Sequence, residues 1–367
     1  DQVSKAAPGA VYGLILIVKV VALTAIGVLG AIYRLRLLRR MRANPSDAKT
    51  FWLLLCAELG LMGMASGAAA ALARTPPPIL PEPAGALTPA EVLTGAPLPP
   101  EWTMSRWFTA WSPDLLWLVA AVLGLIFYVS AVLRLKARGY RWNPWRATAW
   151  VAGTLLLVWV TSGALGAYRS YIYSAHVLGI VILLVGVVPL LAAGAPIELA
   201  RKAAHRREDG SRGGYEWAQV LMHSRGVRFA SAPVVAVPAT AMLIWLLFSS
   251  DLLRWTVGDL LGRQMATAAT LVVGSLLVRG LIGGDGSSRR PTQMKLLMVV
   301  GLAVAMAVVS VYISTAGLVA ADWFGAMGRT WGRAPAEDQD FGGVVLAAGS
   351  AIAVVLGGWV VFLSRAR

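Results

Sequence analysis

Few residues in this chain combine a reactive type with a telling position, and two of them are charges inside apolar runs. Lys19 interrupts Leu16-Ile17-Val18-Lys19-Val20-Val21, and Glu58 follows Leu53-Leu54-Leu55-Cys56-Ala57. A charge in hydrocarbon is costly unless it is paired or hydrated. At 1.5 Å rise per residue, Lys19 lies about 15 Å below one end of its run and Glu58 about 12 Å from the opposite end. Adjacent antiparallel helices would bring the two together, as a neutralising pair or as part of a polar pathway.

His176, in Tyr173-Ser174-Ala175-His176, is the third candidate. An imidazole at the end of an apolar segment can ligate a metal or serve as a hydrogen-bonded structural group. Copper or zinc needs several nitrogen or sulfur donors that converge. His205 and His223 fall in a basic link on the other side of the membrane. Met265 and Met327 have no periodic relation to His176, and a single cysteine, Cys56, excludes an internal disulfide and a cysteine-paired metal site. There is no phosphate-cradling glycine loop, no nucleophile elbow and no HExxH, so no enzyme is expected. Asp259 and Arg263, flanking one helix end, are expected to pair locally.

The elements that must position these groups are membrane helices. Of 367 residues, 57% are hydrophobic and only 14% charged, with the charges gathered between apolar runs of roughly twenty residues. Nine such runs can be marked, at 9–33, 50–73, 113–133, 147–167, 174–194, 230–250, 264–284, 296–318 and 341–363. The expected fold class is therefore all-α, a polytopic bundle of nine transmembrane helices. A β-barrel would need short alternating segments instead.

Orientation follows from charge. With the N-terminus outside and the C-terminus cytoplasmic, the inner stretches 34–49, 134–146, 198–228, 285–295 and the tail hold 23 of 33 Lys and Arg against six acids. The outer stretches hold eight basic residues against eleven acids. This is the positive-inside pattern. It also explains the net charge of +15 without nucleic acid, since inner-leaflet anionic lipid attracts such clusters.

Two exterior stretches stand apart. From Arg74 to Asp114 the chain is Pro-rich and irregular, and divides a two-helix front from a seven-helix remainder. Gly317 to Phe341 carries Asp322, Trp323, Phe324 and Trp331. Its aromatics suit interface anchoring, and Asp322, Trp323 and Trp331 equally suit a partner or ligand surface.

Several ordered stretches carry a resemblance. They are Arg138-Gly139-Tyr140-Arg141-Trp142, Tyr173-Ser174-Ala175-His176, Leu191-Ala192-Ala193-Gly194-Ala195-Pro196, Leu281-Ile282-Gly283-Gly284-Asp285 with Arg289-Arg290-Pro291, and Ala320-Ala321-Asp322-Trp323-Phe324 leading to Gly328-Arg329-Thr330-Trp331-Gly332. Through these, residues 107–367 resemble the CtaG-like cytochrome c oxidase assembly proteins, a seven-helix bacterial family linked to copper delivery. Residues 1–75, with Tyr12-Gly13, Lys19, Glu58 and Leu72-Ala73-Arg74-Thr75-Pro76-Pro77, resemble the last two helices of copper resistance protein D. Residues 76–106 form the exterior linker between them. Such fusions occur in actinobacteria, so the resemblance implies a longer protein with helices upstream.

The resemblance also implies copper-handling positions, and here the chain departs from it. The family's second histidine, four residues after the one matching His176, falls on Ile180. Its later histidine and methionine pattern falls on Leu260, Arg263, Ala266 and Ala269. None of these side chains can donate to a metal. With those departures, the expectation is a scaffold without a metal cofactor. That is an assembly factor or accessory subunit of cytochrome c oxidase or another respiratory complex in the bacterial plasma membrane, with lipid and oxidase subunits as partners. The alternative keeps copper, transported or delivered to the oxidase, with His176 as one ligand.

Overall fold

The computed structural model describes residues 87–203, 224–282 and 291–365, with isolated helical positions 17, 21, 24, 25, 27, 59, 60, 62, 63, 67 and 219. Lys19, Cys56, Glu58, His205 and His223 lie outside the described residues, as does almost all of the expected segments 9–33 and 50–73. By backbone contacts the chain divides into two units, Asp1–Ala86 and Leu87–Arg367. The second unit contains the elements that follow.

Every described element is helical. Two short helices come first, α1 (Pro89–Thr94) and α2 (Arg106–Thr109), then α3 (Leu115–Ala137), α4 (Pro144–Ser162) and α5 (Ala164–Tyr168). The next span runs from α6 (Tyr173–Ile182) through a π-turn (Leu183–Val187) into α7 (Val188–Ala193) and α8 (Pro196–Ala203). Then come α9 (Arg225–Ala230), α10 (Pro233–Ser249), α11 (Leu252–Gly258), α12 (Leu260–Ile282) and α13 (Thr292–Thr315). A π-turn (Ala321–Gly325) and the long α14 (Pro335–Arg365) close the unit.

Six helical runs are long and apolar enough to cross a bilayer: 115–137, 144–168, 173–203, 260–282, 292–315 and 335–362. A seventh crossing exists if α10 and α11, bent by 70° at Ser250, count as one. The described residues thus hold six or seven crossings of the nine expected. Each of the seven segments expected beyond residue 107 overlaps one of these runs.

Local chemistry sets the ends. Asp114 caps α3, accepting from the Trp117 N–H, and Asn143 caps α4 ahead of Pro144. Thr88 and Glu91 form a reciprocal capping box on α1. The stretch from α1 to α2, which reads as an irregular linker in sequence, is tied to the bundle. Tyr168 Oη donates to the Pro100 carbonyl at 2.7 Å, and Trp102 stacks on Tyr168 at 5.1 Å.

Helices α13 and α14 pack along each other, α14 lies against α6, and α10 bridges α12 and α13. Small residues set how close they come. A Cβ at Gly342 would stand 2.8 Å from the Tyr173 ring, and one at Gly349 would stand 2.6 Å from Val181. At the end opposite His176, Tyr128 donates to the Gly194 carbonyl at 2.8 Å and accepts from Trp142 Nε1 at 3.0 Å. Arg146 and Lys202 flank the Trp142 ring and both pair with Glu198. Trp142 of the Arg138–Trp142 turn and Gly194 of the Leu191–Pro196 stretch therefore meet at one tyrosine.

Candidate functional site

The helix that carries His176 begins without a capping side chain of its own. Its first N–H groups would be orphaned in an apolar bundle. Asp338, in the first turn of α14, supplies the acceptor. Its Oδ2 takes the Tyr173 N–H at 2.8 Å and the Ser174 N–H at 3.4 Å, and its Oδ1 takes the Ser174 hydroxyl at 2.6 Å. Tyr173 Oη then donates to the Phe248 carbonyl at 3.0 Å, fixing α6 to α10.

One turn further, His176 is 4% exposed. Its ring stands edge-on to Phe248 at 5.9 Å and bonds the Leu247 carbonyl. Its Nε2 is buried with no hydrogen-bond partner among the described residues.

A second polar group lies at the same end of the bundle. The Asp114 N–H donates to Ser162 Oγ at 3.0 Å, which brings the start of α3 to the end of α4. Gln264, in the first turns of α12, donates Nε2 to both Asp114 carboxylate oxygens at 3.0 and 2.8 Å. Arg169, in the link between α5 and α6, places Nη2 3.8 Å from Asp114 Oδ2. Arg169 is 9% exposed, and its Nε and Nη2 have no hydrogen-bond partner among the described residues; the same holds for Arg263 Nε and Gln264 Oε1. Burial, with the Arg263 guanidinium adding repulsion, pushes Arg169 down to about 9, and Asp114 pulls it the other way. It is still a cation at neutral pH.

The link is held rigidly around it. Ser170 Oγ donates to the Val257 carbonyl at 2.7 Å, and Trp323 Nε1 donates to the Ser170 carbonyl at 2.8 Å. The charge of Arg169 reaches both Arg263 and His176. Asp114 is the carboxylate that stands beside Arg169 in this electropositive neighbourhood.

The positions that fall where the family places its donors differ in burial. Ile180 and Ala266 are buried, Ala269 and Arg263 are half-buried, and Leu260 is 65% exposed. Asp259 does not pair with Arg263. Its carboxylate accepts from the Leu261 and Gly262 N–H groups at 2.8 and 3.1 Å, because an uncapped α12 start needs them more. No group of three or more His, Cys, Asp or Glu positioned for a metal exists among the described residues.

Asp322 is exposed and paired with Arg254. Trp323, read with it as surface, is instead 4% exposed, its ring packed against Gly258, where a Cβ would stand 2.9 Å away. Trp331 is half-buried, edge-on to Tyr168 at 6.0 Å, with Arg329 over its face at 5.4 Å. It lines a cleft of about 320 Å³ together with Trp107, Ser174, Ala175, Arg333 and Phe341. Burial lowers Arg329, and Asp338 opposes that shift.

Arg169, Gln264 and Asp338 escape sequence reasoning. The one available signal is that Arg169 occupies a link of only six residues, 168–173, between apolar runs, among Tyr168, Tyr171 and Tyr173. That leaves its side chain little choice but to turn inward.

Comparison with known proteins gives a consistent picture. Residues 126–367 match the sequence family described as cytochrome c oxidase caa3 assembly factor. An uncharacterised protein of Mycobacterium leprae is 28% identical over 273 residues, covering 72% of this chain and 41% of that protein. Uncharacterised proteins of Mycobacterium bovis and Mycobacterium tuberculosis are each 31% identical over 206 residues, covering 56% of this chain and 31% of their own length. The chain thus spans less than half the length of these relatives. No solved structure matches.

Proposed function

The chain belongs to the cytochrome c oxidase caa3 assembly factor family, and from that membership we propose a metal-independent membrane scaffold. It acts as an assembly factor or accessory subunit of cytochrome c oxidase or another respiratory complex, and it catalyses no covalent reaction. The proposal includes a bacterial plasma-membrane location, nine crossings with the N-terminus exterior and the C-terminus cytoplasmic, and a front unit similar to copper resistance protein D. Its partners are membrane lipid and oxidase subunits, met in part through the Asp322 and Trp331 face.

The setting of His176 carries the metal-independent half of this reading. Copper handling is what the resemblance implies, and the residues present do not fit it. Cu(I) prefers two or three soft or nitrogen donors. His176 offers one free nitrogen, with Ile180 one turn on and the Arg169 cation as a neighbour. A cation entering there meets repulsion that low local dielectric strengthens.

Two measurements test the proposal. Protein purified in detergent under reducing conditions and given limiting Cu(I) should retain well under one equivalent against a competing chelator. Affinity purification from native membranes should recover subunits of a terminal oxidase or another respiratory complex. Near-stoichiometric copper that disappears in His176→Ala would overturn the reading in favour of copper delivery.

A further inference from the structure

The cleft beside Trp331 changes character along its length. Arg329, Arg333, Glu101 and Thr103 line it from the loops, while Leu178, Phe341 and Val345 line it from α6 and α14. Both helices begin membrane-long apolar runs at this end. Leu178 lies four residues beyond Ser174 and Val345 seven beyond Asp338, or about 6 and 10 Å along the helix axes. The lining therefore passes from guanidinium to hydrocarbon over the depth at which a lipid passes from phosphate to acyl chain. At about 320 Å³ the cleft has room for an occupant, at the low end of the roughly 300–1,000 Å³ of small-molecule sites.

The two guanidiniums are held in place without a counter-charge in contact. Arg329 Nη2 donates to the Arg333 carbonyl at 2.7 Å while its guanidinium covers Trp331. Arg333 stands 3.8 Å over the Phe341 ring, which sets a charge directly against the apolar lining. Among the described residues neither arginine forms an ion pair. Asp338 also lines the cleft, but both its oxygens are committed to the start of α6. The exposed Glu101 is the other carboxylate of the lining, so two cations face one uncommitted anion.

We propose that this cleft seats one phospholipid of the adjoining leaflet, its phosphate between Arg329 and Arg333 and one acyl chain along Leu178, Phe341 and Val345. Guanidinium groups present paired N–H donors that match phosphate oxygens, and they are hydrated weakly enough to work at an interface. Basic pockets between membrane helices take lipid headgroups for the same reason. Trp107 and Trp331 supply the aromatic walls usual at headgroup level. Glu101 is left to accept from an ammonium or hydroxyl of the headgroup. The site requires a membrane setting and is independent of any oxidase partner.

The test is native mass spectrometry of the delipidated full chain in detergent, titrated with dioleoyl phosphatidylethanolamine, with thermal unfolding in parallel. One lipid should bind well ahead of the rest and raise the Tm by a few degrees, as expected for a ligand of the folded state alone. Dioleoylglycerol, which has the tails without the phosphate, and glycerophosphoethanolamine, which has the headgroup without tails, should each bind about tenfold more weakly or worse. Arg333→Gln, which changes an exposed side chain, should weaken the first lipid about tenfold. Val345→Trp, which fills the apolar end and leaves the arginines alone, should do the same. Uniform weak binding of many lipids, or a first lipid indifferent to both variants, would overturn the assignment. So would dioleoylglycerol or the free headgroup binding as tightly as the phospholipid. An acidic peptide such as acetyl-Glu-Glu-amide raising the Tm where the lipid does not would place a protein segment in the cleft instead.

Discussion

Asp338 and Ser174, 164 residues apart in sequence, meet in a 2.6 Å hydrogen bond between carboxylate and hydroxyl. The last helix of the unit thereby caps the helix that carries His176. Asp338→Ala would orphan the Tyr173 and Ser174 N–H groups at a buried helix start. The expected cost is about 1.5–3 kcal/mol, because the lost bonds are charge-assisted. Asp338→Asn, which keeps an acceptor oxygen, should cost less. Thermal unfolding of both variants in detergent checks the order, and equal losses would show that the cap is not what Asp338 contributes.

Asp114 is the carboxylate beside Arg169. Asp114→Ala strands a buried cation, and about 3–5 kcal/mol is the usual penalty for breaking such a pair. Asp114→Ala combined with Arg169→Met should be less damaging than Asp114→Ala alone, since the second change removes the stranded charge. Denaturation of the three variants completes the cycle, and simple additivity would argue against the coupling.

The proposed orientation places the 198–228 link in the cytoplasm and the 76–110 link outside. The 23 basic residues on one side against eight on the other motivate it. A reporter inserted in each link should therefore read opposite compartments. Finding both on the same side would require a different number of crossings.

Lys19 and Glu58 are proposed to share one depth in the front unit. Glu58→Ala alone should destabilise the protein more than Glu58→Ala with Lys19→Ala, because the single change leaves an unpaired cation in hydrocarbon. Cysteines placed at 19 and 58, in a Cys56→Ser background, should form a crosslink under oxidation. Absence of both effects would separate the two residues.

The membrane helices were legible in the sequence because hydrocarbon imposes length and apolarity on every crossing. Each of the seven segments marked after residue 107 overlaps a helical run of the structure. What was not legible is which face of each helix looks inward. Lipid and protein interior are both apolar, so the periodicity that marks a buried face in water is nearly silent here. Trp323 illustrates this, reading as an interfacial aromatic while its ring is buried, packed against Gly258. Arg169 and Gln264 illustrate it for polar groups, since nothing local announces that both converge on Asp114. The short helix Leu252–Gly258 beyond the 70° bend was also unmarked, since the apolar segment stops at Ser250 and Asp251, whose side chains suit a turn.

The π-turn at Leu183–Val187 lies between His176 and Gly194 on a single span. Such a turn accommodates one residue more than an α-helical turn, and one residue is worth about 100° of rotation. The His176 half and the Gly194 half are therefore keyed to their surroundings with independent phase. Removing one residue from the turn would restore an unbroken α-helix and swing one half out of register, taking either the Asp338 cap or the Tyr128 bond with it. The extra residue works as a spacer that lets the two ends of the bundle be fitted to different neighbours without refitting the helix between them.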